Sequence, residues 1–296
     1  MTTGKPMTVG CFYQKALAAL EAGGFEDPGR EARALIEAVG GLGLTDQLAH
    51  PGCDLEADRL EALEEALKLR LQHLPLTKIA GFTLFYGLRF RVNEATLSPR
   101  PETEHAVEAA LKWAAEWRGS GKPPLRILDT FTGTGALGIS LGYGLTQAGQ
   151  AIDLTLADLS EEALDIARAN AAALLPGISV SFVPADIWPA EGLYDLVTAN
   201  PPYIPSDQID SLMPEVASHD PRLALDGGSD GLDFYRRLAG EGKSHLSEGG
   251  ALVLEVGAGQ AEEVSQIFHA WRAGARVRDY LGHERVLVFM PESHVK

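Results

Sequence analysis

From about residue 124 onward the chain alternates short apolar runs with stretches of helical periodicity, and this alternation limits the fold more than any other feature. "LRILDT" (125–130), "AIDLTLAD" (151–158), "SVSFVPAD" (179–186), "YDLVTAN" (194–200) and "GGALVLEVG" (249–257) read as strands. Helices are expected over 135–147, 161–175, 233–246 and 259–274. "ARVRDY" (275–280) and "ERVLVFM" (284–290) read as an antiparallel pair that ends the sheet. Repeated strand–helix units imply an α/β fold, a sheet with helices on both faces. In such sheets ligands bind beyond the carboxyl ends of the strands, so the residues at those ends are where chemistry should be sought.

The N-terminal part has a different character. "FYQKALAALEAGGF" (12–25) carries apolar residues at helical spacing and ends at Gly23-Gly24, a stop signal. "PGREARALIEAVGGLG" (28–43) opens on Pro28 and closes on glycines. "DLEADRLEALEEALKLRLQHL" (54–74) starts with Asp54 as an expected N-cap. A small helical bundle over residues 1–80 is expected. Aromatic and β-branched residues flank Gly87 in "FTLFYGLRFRVNEATL" (82–97), which reads as a hairpin linker over 81–98. Pro99 and Pro101 then stop the strand, and Glu102 and Glu104 open the next helix, where acids are favoured. The α/β domain is expected over 99–296.

Four strand ends carry recognisable chemistry. The first runs into "TFTGTGALG", in which Gly133, Gly135 and Gly138 match G-x-G-x-x-G. Alone the match is weak. Its physical content is that glycines at Gly133 and Gly135 let a ligand approach the backbone at a helix N-terminus, and Gly138 can equally serve close packing. The second strand ends at Asp158, an acid placed to accept from both hydroxyls of a ribose; Ser160 suits the competing task of capping the next helix. The third ends at Asp186, an acceptor for an adenine amino group, with Ile187 or Trp188 against the base. Taken singly, a surface acid and a core aromatic explain these residues nearly as well.

The fourth end is Asn200-Pro201-Pro202-Tyr203. Proline cannot donate to a ladder, so the strand stops there in a rigid corner. The Asn200 side-chain oxygen and the Pro201 carbonyl are two acceptors at fixed separation, matching the two hydrogens of an –NH2 group, and Tyr203 offers a flat face. Amide and ring amino nitrogens are poor nucleophiles, because their lone pair is delocalised. Hydrogen bonds from both N–H groups raise electron density on nitrogen as it attacks, a preorganised stabilisation of developing charge. In-line attack on a methyl group carried by a sulfonium would complete the reaction.

The bulk numbers exclude some classes. With 25 Lys+Arg against 41 Asp+Glu the net charge is -16, which argues against stable binding of duplex nucleic acid through its phosphates. Cys11 and Cys53 form no close pair and no metal spacing, and the eight histidines are scattered, so reduced thiols and no metal are expected. No leader is visible in residues 1–10 and no apolar run approaches a membrane span, so a cytoplasmic protein is expected, with no membrane partner and nothing that demands more than a monomer.

The chain resembles the class I S-adenosylmethionine-dependent methyltransferases that carry an N/D-P-P-Y motif and act on amide or exocyclic amino nitrogens. Within that group it is similar to the release-factor glutamine methyltransferases, across nearly its whole length. The matching segments include "LTKIAGFTLFYGLRF" (76–90), "PRPETE" (99–104), "DTFTGTGALGIS" (129–140), "NPPYIP" (200–205), "DPRLALDGGSDGLDFYRRL" (220–238) and "DYLGHERVL" (279–287). N-P-P-Y alone fixes only the broad group; with "PRPETE" and "RLALDGG" it is specific, since the paralogous ribosomal-protein methylases carry a different sequence at the "PRPETE" position.

The resemblance implies a Rossmann-like methyltransferase domain, with a mostly parallel seven-stranded sheet, beside the helical bundle. It implies methylation of the side-chain N5 of the glutamine in the Gly-Gly-Gln loop of class 1 peptide chain release factors, with S-adenosylmethionine as cofactor and S-adenosylhomocysteine as product. By matching motif, Phe131, Thr132, Gly133, Thr134, Gly135, Asp158, Asp186, Ile187 and Asn200 should bind the cofactor. Asn200, Pro201, Pro202 and Tyr203 should hold the glutamine, and the helical domain and hairpin should grip the release factor. The family usually has glycine where Phe131 stands, which bears on the space near the methionine part of the cofactor. It commonly has isoleucine where Ser98 stands, with little consequence expected. Other readings fit parts of the pattern: methylation of a ribosomal-protein glutamine or of a ring amino group in RNA or DNA, a nicotinamide-linked dehydrogenase, or a module with an inactive site. The dehydrogenase leaves Asn200–Tyr203 unexplained, and the intact corner argues against decay.

Overall fold

The computed structural model describes residues 6–117 and 124–292. Residues 1–5, half of the stretch read for a leader, lie outside the described residues. The chain divides into two compact units, Met1–Gly81 and Phe82–Lys296. Among the described residues no helix is long and apolar enough to cross a membrane.

The first unit is all helical: α1 (Val9–Ala22), α2 (Pro28–Ala38), α3 (Leu44–Ala49), α4 (Ala57–Leu71) and α5 (Leu76–Ala80). Phe12, Ala16 and Leu20, four residues apart on α1, meet Ala32, Leu35 and Ile36 of α2 and Leu63 and Leu67 of α4 in one core. Thr8 and Asp27 cap α1 and α2, accepting from the Cys11 and Arg30 amides. Asp54 does not cap α4 as expected. Its backbone pairs with Thr8 and the Leu55 amide donates to the Met7 carbonyl, so the helix starts at Ala57. Arg70, only 6% exposed, is paired with Glu31 at 2.7 Å and lies over the Phe25 ring.

The second unit opens with the hairpin β1 (Phe82–Phe85) and β2 (Leu88–Arg91), followed by a short 3₁₀ turn at Pro101–Thr103 and α6 (Glu104–Glu116). The doubly wound part follows: β3 (Leu125–Thr130), α7 (Ala136–Gln147), β4 (Ile152–Asp158), α8 (Glu161–Leu174), β5 (Val180–Pro184) and β6 (Tyr194–Ala199). Next come the short α9 (Pro214–Ala217), then α10 (Asp233–Glu241), β7 (Leu246–Glu255), α11 (Ala261–Ile267), β8 (Trp271–Arg278) and β9 (Glu284–Pro291). The seven-stranded sheet has the order β5-β4-β3-β6-β7-β9-β8. Its first five strands run parallel, and β9 is antiparallel to both its neighbours. This is the α/β arrangement the strand–helix alternation demanded.

Alternate residues of the central strands feed two cores. Ile127, Leu196 and Val253 pack with residues of α6 and α7 on one face. Leu128, Val197 and Leu252 pack with Tyr235, Val264 and Phe268 on the other. The chain winds outward from β3 through β4 to β5 and returns to lay β6 on the other side of β3. The order therefore reverses between β3 and β6, and a crevice forms there at the carboxyl ends.

Two expected boundaries were wrong. The helix expected over 259–274 stops at Ile267, and Trp271 already begins a strand. Trp271 pairs with Pro291, donates its ring N–H to the Ala239 carbonyl and packs edge-on to Phe268. β8 is an edge strand with mostly exposed side chains and a register break after Ala273, so it shows no period-2 alternation in sequence. The helix expected over 233–246 gives way to a 3₁₀ turn at Gly242–Ser244, and β7 starts at Leu246.

Candidate active site

Strand register aligns the carboxyl ends. Thr130 is level with Ala157 of β4 and with Ala199 of β6, and Ala199 is level with Leu254 of β7. The next residue on each strand is Phe131, Asp158, Asn200 and Glu255, so these four begin at one level of the sheet. A cavity of about 300 Å³ lies at these ends, lined among others by Phe131, Gly133, Asp158, Asp186, Ile187 and Asn200. Thr132, Thr134 and Pro202 also line it; Gly135, Pro201, Tyr203 and Trp188 do not.

The turn between β3 and α7 is held from beneath by Asp129, 1% exposed. Its carboxylate accepts from the Thr132 hydroxyl at 2.5 Å, the Thr198 hydroxyl at 2.7 Å and the Gly138 amide at 3.1 Å. Burial pushes this carboxyl up to about 6, against those three hydrogen bonds. A Cβ on Gly138 would stand 2.7 Å from the Asp129 Cβ, so Gly138 is a packing glycine. Gly133 and Gly135 take φ of 53° and 80°, as the tight turn requires. Phe131 takes φ 59° as well, a left-handed conformation costing a side-chain-bearing residue roughly 1–2 kcal/mol. Glycine would carry no such cost at this position. The Phe131 ring finds compensation edge-on to Phe234 of α10, at 5.1 Å. Ile187, with φ 73°, is a second strained residue lining the cavity; its carbonyl accepts from the Thr130 hydroxyl at 2.5 Å.

Asp158 accepts from the Gly133 amide at 2.8 Å and the Ser160 amide at 2.9 Å, while the Ser160 hydroxyl caps α8 through the Ala163 amide. Burial raises the Asp158 carboxyl above its usual range. A carboxylate has about four lone-pair sites, so acceptor capacity remains for a ligand. Asp186 forms a bidentate pair with Arg237 of α10, at 3.0 and 2.9 Å. Trp188 is the core aromatic of the two readings given above: it lies in the core and stacks on His245 at 4.7 Å.

The Asn200–Tyr203 corner is clamped by its surroundings. The loop 225–231 pairs with it through Ile204 N–H to Leu225 O and Gly227 N–H to Ile204 O, both 3.0 Å or shorter. A Cβ on Gly227 would lie 2.8 Å from the Tyr203 Cα, and one on Gly231, at φ 75°, 2.4 Å from the Tyr203 carbonyl oxygen. The "LDGGSDG" stretch is thus glycine-rich because backbone lies on backbone. Gln260 donates to the Tyr203 carbonyl at 3.0 Å. The Tyr203 phenol is raised above its ordinary value by burial, then by the nearby Glu255.

The "PRPETE" segment supports the same corner. Arg100 pairs with Asp220 at 3.3 Å, Thr103 accepts from the Asn200 side-chain amide at 3.4 Å, and Glu104 accepts from the Tyr86 amide of the hairpin at 2.7 Å. Behind Asn200 lies Glu255, 2% exposed. Burial pushes its carboxyl up to about 7; hydrogen bonds from Thr103 and Asn200 and the charge of Arg285 pull it down, and Glu102 pushes it further up. Its Oε2 is buried with no hydrogen-bond partner.

Four residues of this site were missed in sequence: Asp129, Glu255, Thr103 and Asn170. The rule that searched strand ends would have found Glu255, the last residue of β7. Asn170 of α8 has no such signal. Its amide donates to the Thr134 carbonyl at 2.9 Å and its oxygen accepts from the Arg91 amide at 2.7 Å, tying the hairpin to the glycine turn.

A family model described as PrmC N-terminal domain matches residues 12–81, and one described as Methyltransferase small domain matches residues 122–223. The chain is 39% identical to the release factor glutamine methyltransferase of Bradyrhizobium diazoefficiens over 260 residues, 87% of this chain and 85% of that one. It is 37% identical to that of Agrobacterium fabrum, over 98% of this chain and 99% of the relative. Among solved structures, the hMettl16 catalytic domain in complex with an RNA hairpin matches with a TM-score of 0.51 at 16% identity, over 81% of this chain and 84% of that one, which is a likeness of fold.

Proposed function

The chain belongs to the release factor glutamine methyltransferase family, and on that premise we propose that it methylates the side-chain nitrogen of the glutamine in the Gly-Gly-Gln loop of class 1 release factors, with Asn200 as the catalytic acceptor. The observation that carries this reading is the direction of the Asn200 amide. Its –NH2 is directed at Thr103, which leaves Oδ1 for a substrate –NH2; the Pro201 carbonyl is the second acceptor of this reading. The two acceptors draw off positive charge as the glutamine nitrogen attacks, and the proton leaves to water afterwards.

The cavity residues fit S-adenosylmethionine. Asp158 has acceptor capacity left for a ribose hydroxyl, the turn at Gly133 brings backbone to the rim, and Ile187 and Phe131 give apolar faces. When bound, the cofactor supplies a methyl group on a sulfonium, whose C–S bond breaks as the N–C bond forms. Asp186 would reach an adenine amino group only with lone pairs that Arg237 leaves open. The helical unit and hairpin supply the grip on the release factor in this reading.

The test is mass spectrometry of a release factor incubated with this protein and S-adenosylmethionine. One added methyl on the glutamine side chain, absent with Asn200→Ala, is expected. Full modification by that variant would remove Asn200 from the mechanism. Methyl transfer to some other acceptor, with the glutamine untouched, would overturn the substrate.

A further inference from the structure

A side-chain amide has two ends of nearly equal shape, so only its hydrogen-bond partners decide which end faces a substrate. The reading above needs the Asn200 oxygen toward the substrate. Turned over, it would set –NH2 against –NH2, donor against donor. The Thr103 hydroxyl cannot fix the choice, because a hydroxyl can donate or accept. A group that only accepts can.

Resting on the proposed role of Asn200, we infer that Glu255, as a carboxylate, is the positioning residue that sets the polarity of the Asn200 amide, both directly and through Thr103. Glu255 follows Leu254, which is level with Ala199, so both side chains leave their strands side by side. It sits behind the cavity and does not line it. An ionised Glu255 accepts from the Thr103 O–H and from the Asn200 –NH2, and the Thr103 oxygen accepts from that –NH2 as well. Add a proton to Glu255 and the chain can reverse. The carboxyl donates to Thr103, Thr103 donates to Asn200 Oδ1, and the amide presents its hydrogens to the substrate. A buried carboxyl with one unpartnered oxygen is costly. A structural role alone does not call for one here, since a neutral amide of the same shape would fill the space.

The charged and titratable groups facing Glu255 are Arg285 on β9, Glu102 in the turn before α6, Tyr203 in the corner and Tyr235 on α10. Burial pushes the Glu255 carboxyl itself up to about 7, near neutral pH. Methyl transfer should therefore fall as the pH drops below neutral.

The test compares wild type with Glu255→Gln and Thr103→Val, both of near-native shape, from about pH 5.5 to about pH 9. Glu255→Gln is expected to lower kcat at alkaline pH by about 10- to 100-fold, the worth of a charge-assisted hydrogen bond. It should abolish the acid limb and leave the affinity for S-adenosylhomocysteine within about twofold. Thr103→Val should lower kcat with the cofactor affinity likewise kept. A second readout needs no substrate. In isotope-labelled protein the Asn200 side-chain amide signal, assigned by its loss in Asn200→Ala, should move with pH near neutrality in wild type and stay fixed in Glu255→Gln. Wild-type kcat and an unmoved acid limb in Glu255→Gln, or an Asn200 signal indifferent to pH in wild type, would overturn the inference. A moving signal in a protein that does not methylate the release factor would keep the inference and defeat the substrate instead.

Discussion

The two halves of the crevice reach rigidity by different routes. On the β3–β4 side, shape is stored in backbone: a turn with positive φ at Phe131, Gly133 and Gly135, a second left-handed residue at Ile187, and Asp129 bonded beneath. On the β6–β7 side it is stored in side-chain identity: two prolines, one asparagine and a set of glycines whose missing side chains admit neighbouring backbone. The first kind tolerates any letter that can hold the conformation, and Phe131 holds it at φ 59°. The second does not on the proposed reading, in which the acceptor oxygen of Asn200 meets the substrate.

The largest effect should therefore come from Asn200. Asn200→Ala removes the acceptor from a strand end without removing core volume, so kcat should fall about 100- to 1000-fold with little change in thermal midpoint. Near-normal kcat would break the comparison at its strongest point. Next comes Gly231→Ala. The added Cβ meets backbone at 2.4 Å with φ 75°, so destabilisation of about 2–4 kcal/mol in urea unfolding is expected, with kcat falling as the corner shifts. An unchanged midpoint would mean that the corner is not clamped by that loop.

The other half is sharpened by pH. The Asp129 carboxyl is raised from 3.8 to about 6 in the folded protein. A raised carboxyl favours folding fully below the unfolded value, and that contribution is lost as pH rises through the folded one. Unfolding free energy should thus decline across that window by on the order of 3 kcal/mol from this residue. Asp129→Asn should lose that decline while keeping the later one from Glu255, which is raised from 4.5 to about 7. Equal slopes in the two proteins would show that Asp129 is not held at the raised value.

This division also decides what could be read in sequence. Asn200, Pro201 and Pro202 were legible because each residue type names its own constraint, and Gly133, Gly135 and Asp158 because their spacing follows strand–turn–helix geometry. The alternation gave the sheet order's raw material, though not the boundary at Trp271, where an exposed edge strand has no period. Asn170 was illegible because it acts on backbone amides and carbonyls, which any sequence carries, and Asp129 because the Thr132 and Thr198 hydroxyls and the Gly138 amide meet it only in the fold. Glu255 could be found as a strand end but its task could not, because its partners, Thr103 and Asn200, lie far off in the chain and meet it only in the fold.

Asp158 lies between the two kinds, a side chain that both braces the turn and faces the cavity. Asp158→Ala should weaken S-adenosylhomocysteine binding by about 10- to 100-fold in calorimetry, the loss of charge-assisted hydrogen bonds to a ribose. Unchanged affinity alongside a lower thermal midpoint would leave it the bracing role alone.

The smallest effect, and the sharpest test of backbone against letter, belongs to Phe131→Gly. The substitution removes roughly 1–2 kcal/mol of left-handed strain. It also removes the edge-on contact with Phe234, worth about 0.5–1.5 kcal/mol, and adds roughly 0.5–1 kcal/mol of chain entropy to the unfolded state. These nearly cancel, so the unfolding free energy should move by less than about 1 kcal/mol. If the turn holds the cofactor through its backbone, affinity for S-adenosylhomocysteine should stay within about threefold as well. A loss beyond about tenfold would mean that the aromatic ring itself covers the ligand, and that this half of the crevice, like the other, depends on a side chain.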